Sequence, residues 1–308
     1  MDLQSVFSQM LILFTVIAVG YGATKCHVLD ASSNRHFSNL VLCVTNPCTI
    51  LYSVLSGEHI LKNSEVLQLT GYSILIYACL IAAAALVPRL LRAPAADAGL
   101  YRFMTVFSNV GFIGFPVVRA VFGQSAVFYA AIFNLIFQLV LYTYGIRQIS
   151  KKPADHKFGW RMFCKPIILA SLLAYIFYLV DFRAPEYVVR VLGLIDQLTS
   201  PLSMLVIGCA LAQVPMRQVF CDKRAYGLIA YKQLLLPVVF FFLLRLVIHN
   251  EWILGMLVIM TPMPIANMAA MFCAKYDGNQ TLAASTTFVS TLFSVIGIPI
   301  FMLLFFAG

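Results

Sequence analysis

The chain has 308 residues, of which 61% are hydrophobic and only 11% are charged, and its mean hydropathy is +0.90. These values exclude a soluble globular domain and indicate a polytopic membrane protein. The formal charge of +9 does not indicate a nucleic-acid-binding protein, because the Lys and Arg residues sit in short connections between apolar runs, as the positive-inside rule expects.

Ten apolar stretches follow one another along the chain, each of about 20 residues, the length that crosses a bilayer. We number them spans 1 to 10; they cover residues 4–24, 37–56, 66–90, 100–122, 125–147, 164–182, 187–212, 225–248, 252–274 and 280–307. The sequence therefore predicts an all-α fold of ten transmembrane helices.

The basic residues predict the orientation of these spans. Sixteen of the 21 Lys and Arg residues lie in or beside the odd-numbered connections, which the positive-inside rule assigns to the cytoplasm. Both termini are then predicted outside the cytoplasm, in a bacterial inner (plasma) membrane. The basic segment 148–163 is predicted to be a cytoplasmic linker between two halves, residues 1–147 and 164–308.

The two halves resemble each other in sequence. Three matches carry this similarity: Thr-Asn-Pro at 45–47 and Thr-Ser-Pro at 199–201, 154 positions apart; Tyr77 and Tyr231, also 154 apart; Gly123 and Gly278, 155 apart. Because each half holds five spans, an odd number, the second half must enter the membrane from the opposite side. We therefore predict two inverted five-helix repeats, an arrangement typical of secondary transporters.

Span 4 contains Gly111, Gly114 and Pro116 within six positions, and these residue types weaken or end a helix. Its counterpart, span 9, contains Pro262 and Pro264. Unwound backbone persists at membrane depth only where it is packed in protein or lines a cavity. Two corresponding interrupted helices therefore favour a binding site, although a simple proline kink is the alternative for either span alone.

The segments SNVGFIGFPVVRAVFG (108–123) and PMPIANMAAMFCAKYDGNQTLAASTTFVSTLFSVIGIPI (262–300) resemble the auxin efflux carrier family, and its microbial members more closely than the plant auxin carriers. The similarity extends over essentially the whole chain. It implies that spans 4 and 9 are broken and cross at their breaks. It also implies that spans 3–5 and 8–10 form a mobile transport unit, working as an elevator against a scaffold of spans 1, 2, 6 and 7.

The same resemblance implies a role for Asn109, which stands where the plant carriers have an asparagine that contacts the substrate carboxylate. Half-helices that begin near the midplane point N–H groups and partial positive charge into the crossing, which favours an anionic group. Asn267 is expected to add a donor, and Asn134 and Gln138, four apart on span 5, are expected to line the same cavity. Interhelical hydrogen bonds are the alternative role for this last pair.

The predicted substrate-binding residues are Asn109, Gly111, Gly114, Pro116, Pro262, Pro264, Asn267, Asn134 and Gln138. The hydroxyl side chains of span 10 are assigned to close helix packing instead; they are Thr286, Thr287, Ser290, Thr291 and Ser294.

Two ionisable residues inside spans are candidates for coupling, because such groups in membranes are usually functional. Asp196 lies about nine residues into span 7, roughly 14 Å deep at 1.5 Å per residue, just ahead of a break predicted at residues 199–201. Lys232 lies within span 8. The alternative for Lys232 is that its long side chain reaches back to the cytoplasmic interface.

These features predict a secondary active transporter for a small organic anion such as a carboxylate. The alternatives are a ligand-sensing receptor on a transporter fold and an auxin-like weak-acid efflux carrier. No enzyme is predicted, because the chain has neither an H-E-x-x-H nor a G-x-S-x-G motif, and no metal or cofactor is expected. The expected partners are the substrate, the lipid bilayer, protons as a candidate coupling ion and a second copy bound through the scaffold spans.

Overall fold

A computed structural model describes residues 3–56, 60–150, 164–214 and 222–306. Within these residues the regular structure is helical, and the β-structure consists of one isolated bridge between Ser108 and Ile265. Most of the predicted linker 148–163 lies outside the described residues.

The helices follow the predicted spans closely. In chain order they are α1 (Leu3–Lys25), α2 (Ala31–Leu40), α3 (Asn46–Leu55), α4 (Asn63–Leu90), α5 (Ala98–Val106), α6 (Phe115–Phe122), α7 (Ala126–Val140), α8 (Ile146–Ile149), α9 (Pro166–Leu179), α10 (Glu186–Ala212), α11 (Lys223–Ile229), α12 (Leu236–Arg245), α13 (Glu251–Ile259), α14 (Met268–Lys275) and α15 (Gln280–Phe306). Three short π-helical turns join consecutive helices without a gap; they are Val41–Thr45, Leu141–Gly145 and Ala230–Leu235. A fourth, Val110–Gly114, leads directly into α6.

Six helical stretches of the described residues are long and apolar enough to cross a membrane. They are Ala31–Leu55, Asn63–Leu90, Ala126–Ile149, Glu186–Ala212, Lys223–Arg245 and Gln280–Met302. The protein is therefore an all-α integral membrane protein. The count of ten spans, the inverted repeat and the division into scaffold and transport spans remain predictions.

The chain forms two compact units, of which unit 1 comprises Met1–Gly71, Gly111–Leu135 and Trp160–Gln213. In unit 1, α1 packs along α10, and α3 packs against both α9 and α10. Glycines allow the first of these contacts, because a Cβ on Gly208 would lie 2.1 Å from the carbonyl oxygen of Ile17. Small residues at such positions let membrane helices approach closely.

Unit 2 comprises Tyr72–Val110, Ile136–Gly159 and Val214–Gly308. In it, α14 packs against α15, α12 packs against α13, and α5 packs against α8. Gly99 of α5 allows the last contact, because a Cβ there would lie 1.9 Å from the carbonyl oxygen of Gln148.

Three of the four π-turns in the described residues end two positions ahead of a proline: Pro47, Pro116 and Pro237. A proline ring clashes with the carbonyl four residues back, and widening the turn to the i→i+5 pattern moves that carbonyl away. In the i→i+5 pattern of the turn at Val110–Gly114, the Gly111 carbonyl would accept a hydrogen bond from the N–H of residue 116. Pro116 has no N–H, so it cannot donate this bond. The Asn46 side-chain amide instead lies 3.4 Å from that oxygen.

The break in span 4 differs in position from the one predicted. Helix α5 ends at Val106, Phe107 is extended with φ −99° and ψ 107°, and helical structure resumes at Val110. Gly111 and Gly114 therefore lie inside the helix that follows the break, and Pro116 lies further along the same helix, just after the π-turn.

The break predicted in span 7 is wrong. Helix α10 runs from Glu186 to Ala212 with Pro201 in its interior. Membrane helices tolerate an internal proline where neighbouring groups satisfy the backbone that it frees, so the residue type alone did not decide the outcome.

Candidate functional site

Two interrupted helices meet through their backbones in unit 2. The first break is residues 107–109, and the second break is residues 260–267, between α13 and α14. The Asn109 N–H donates to the Pro264 carbonyl at 2.7 Å, and the Ala266 N–H donates to the Phe107 carbonyl at 3.0 Å. We call the paired segments 107–109 and 264–266 the crossing. Each break supplies hydrogen-bond partners that the other needs in an apolar surrounding.

The Lys232 side chain forms hydrogen bonds at the first break. It lies in the π-turn Ala230–Leu235 and is only 2% exposed. Its Nζ donates to the Thr105 carbonyl at 2.9 Å and to the Ser108 hydroxyl at 2.8 Å. The side chain therefore points into the protein, and the alternative that it reaches the membrane interface is wrong.

The side chain of the next residue, Gln233, forms a hydrogen bond at the second break. Its Nε2 donates to the carbonyls of Pro262 and Ser290, each at 3.2 Å. The Ser290 hydroxyl donates to the Gln233 Oε1 at 3.0 Å and accepts the Ile265 N–H at 2.9 Å. π-turns are frequent at functional sites, and this one directs two consecutive side chains to the two breaks.

Sequence reasoning missed Gln233 and assigned Ser290 only to helix packing. The available signal was a Lys-Gln pair in an otherwise apolar span. A pair of polar residues there needs buried partners, and two interrupted helices provide them.

The two predicted asparagines of the site both lie at breaks. Asn109 is buried inside the first break. Asn267 is part-exposed and immediately precedes α14, and its side chain makes no capping hydrogen bond. Pro262 and Pro264 are buried in the second break, and both carbonyls accept hydrogen bonds. The structure thus brings these four predicted residues to the breaks.

Asn134 and Gln138 both lie in α7 and are buried. The Asn134 Nδ2 makes no hydrogen bond within the described part of the chain. A buried amide donor without a partner is costly, so this nitrogen is not used for the interhelical hydrogen bond considered as its alternative role. A place for either residue in a substrate cavity remains a prediction.

Asp196 is buried as its predicted depth requires, but it has a basic partner. In unit 1, the Arg119 Nη1 lies 3.1 Å from Oδ1 and 3.0 Å from Oδ2 of Asp196. The Asp196 side chain is 1% exposed and the Arg119 side chain is 32% exposed. Arg119 was not among the candidate residues named from the sequence, so this ion pair was not foreseen.

Comparison with known proteins identifies the family to which the chain belongs. The model of a family described as membrane transport protein matches residues 5–302. The chain is also 24% identical over 305 residues to an uncharacterized transporter of Methanocaldococcus jannaschii, and the alignment covers 94% of this chain and 96% of that protein. The protein therefore belongs to the membrane transport protein family, the auxin efflux carrier family that its motifs resemble.

Proposed function

We propose that this membrane transporter is a secondary active transporter for a small organic anion, with a carboxylate as the expected chemical class. The observation that carries the proposal is the crossing, where two interrupted helices pair through residues 107–109 and 264–266. Corresponding discontinuous helices characterise the substrate sites of many secondary transporters. Backbone of this kind is kept at membrane depth only where protein or a cavity surrounds it.

Asn109 and Asn267 are proposed to hold the anionic group. A buried carboxylate requires several hydrogen-bond donors, since its desolvation is otherwise too costly. Both side chains lie at the breaks, where the first N–H groups of a helix have no intrahelical partner.

The transport cycle is proposed to be of the elevator type, with spans 3–5 and 8–10 moving against spans 1, 2, 6 and 7. A substrate held at a rigid crossing must be exposed to each side of the membrane in turn. The proposal includes ten spans in two inverted repeats, with both termini outside the cytoplasm in a bacterial inner membrane. The agreement between the bounds of the helices and the predicted spans supports this arrangement of the helices.

Asp196 remains the proposed proton-coupling residue. The ion pair with Arg119 means that a change of protonation at Asp196 would also change a contact between α6 and α10. In the elevator scheme α6 belongs to a transport span and α10 to a scaffold span. Protonation would then favour movement by releasing this contact.

Uptake into proteoliposomes tests the function. The probes are radiolabelled acetate, pyruvate, succinate, malate and indole-3-acetate, each with and without a pH gradient, and protein-free liposomes are the control. We expect saturable uptake of at least one carboxylate. Uptake of none above the control would contradict the proposal, and saturable binding without flux would favour a ligand-sensing receptor.

A further inference from the structure

Four helix ends meet the two breaks, and their charges nearly cancel. The C-termini of α5 and α13 end there, and the helix that starts at Val110 and helix α14 begin there. Each end carries about half an elementary charge, negative at a C-terminus and positive at an N-terminus. Two ends of each sign sum to about zero. The helix dipoles alone therefore give the crossing no preference for an anion over a neutral ligand.

Lys232 changes this balance. Its ammonium donates to the Thr105 carbonyl in the last turn of α5, so it covers one of the two negative helix ends. None of the ion pairs formed by the described residues includes Lys232, whose described partners are the Thr105 carbonyl and the Ser108 hydroxyl. Buried charges are ordinarily paired with an opposite charge. An anionic ligand would complete this pair.

We propose that Lys232 determines the selectivity of the site for anions, because its ammonium is the positive charge that the anionic group of the substrate neutralises. This inference rests on the proposed function, and it assigns the selectivity to a side chain rather than to the helix N-termini. Ser108, next to Asn109, fixes the Nζ beside the residue proposed to bind the same anionic group.

The geometry also separates two roles for the residues at the crossing. Asn109 and Asn267 are amides, so they can donate to a carboxylate and to its carboxamide alike. A fixed ammonium distinguishes between these two ligands through charge. The measurable signature of Lys232 is therefore the ratio of the two affinities and not the affinity for either one.

The test compares a carboxylate with its own carboxamide. Uptake of the labelled carboxylate that the wild-type protein transports best is inhibited by the unlabelled carboxylate or by the carboxamide of the same skeleton. We expect Lys232→Met, which keeps the side-chain length, and Lys232→Gln to lower the preference for the carboxylate about tenfold to a hundredfold. Lys275→Gln, an exposed lysine at the end of α14, should keep the wild-type ratio.

Both competitors are measured on one sample, so a smaller folded fraction does not change the ratio. A wild-type ratio in Lys232→Met or Lys232→Gln would overturn the inference while the proposed function stands. A wild-type protein that transports carboxylate and carboxamide equally would overturn the proposed function together with the inference.

Discussion

Replacement of Arg119 by glutamine should destabilise the protein, because it leaves the Asp196 carboxylate buried without its counter-charge. Removing one partner of a buried ion pair costs about 3–5 kcal/mol. The Asp196 side chain is 1% exposed and the Arg119 side chain is 32% exposed. Because one partner is partly exposed, the expected cost falls to about 2–3 kcal/mol.

An exposed ion pair on α10, the helix that carries Asp196, provides a matched control. Arg190 pairs with Glu186 at i,i+4 on α10, and these side chains are 77% and 78% exposed. An exposed pair of this type contributes about 0.3–0.5 kcal/mol, so Arg190→Gln should change the stability very little. The two substitutions are chemically identical and differ in the burial of the partner carboxylate.

Thermal unfolding of the purified protein in detergent measures the effect. At roughly 2–4 °C per kcal/mol, Arg119→Gln should lower the melting temperature by about 4–12 °C. The double variant Arg119→Gln with Asp196→Asn should recover most of this loss, because it removes the unpaired charge. An equal shift for Arg119→Gln and Arg190→Gln, or no recovery in the double variant, would refute the reasoning.

Three other predictions concern the site and the topology. Asn109→Ala should weaken substrate binding by about 1.5–3 kcal/mol, roughly tenfold to a hundredfold in Kd, with no loss of folded protein; an unchanged Kd would remove Asn109 from the site. Gln233→Leu should cost about 1–3 kcal/mol in unfolding free energy because it leaves buried partners of Gln233 unsatisfied, while the exposed Gln68→Leu should not; equal melting temperatures for the two variants would argue against this role. A cysteine placed at Asp155 in a cysteine-free background should be labelled only from the cytoplasmic side, and labelling from outside the cell would reverse the proposed topology.

The general plan of the helices could be predicted from sequence because hydropathy and span length are local properties. The interruption of span 9 was predictable for the same reason, since Pro262 and Pro264 lie within it and proline acts on its own turn. The position of the first break was not, because residues 107–109 are extended by pairing with residues 264–266. That pairing depends on contacts more than 150 positions apart in the chain.

The polar contacts of the site were less accessible to sequence reasoning. Asp196 and Lys232 were recognisable as unusual residues in apolar spans, but neither partner could be named. Arg119 lies 77 positions from Asp196, and Thr105 lies 127 positions from Lys232. Pro201 shows the opposite error, since a residue that often breaks helices lies inside the continuous helix α10.

The π-turn Ala230–Leu235 is equivalent to the insertion of one codon into the gene for an ordinary helix. One additional residue turns everything beyond it by about 100° around the helix axis. Deleting that residue would shift each residue of α12 into the position of its predecessor, so the buried Phe240 and Leu244 would move to the exposed positions now held by Val239 and Leu243. The packing of α12 therefore requires the additional residue, and we expect family members that keep the Lys-Gln pair to keep the length of this span unchanged.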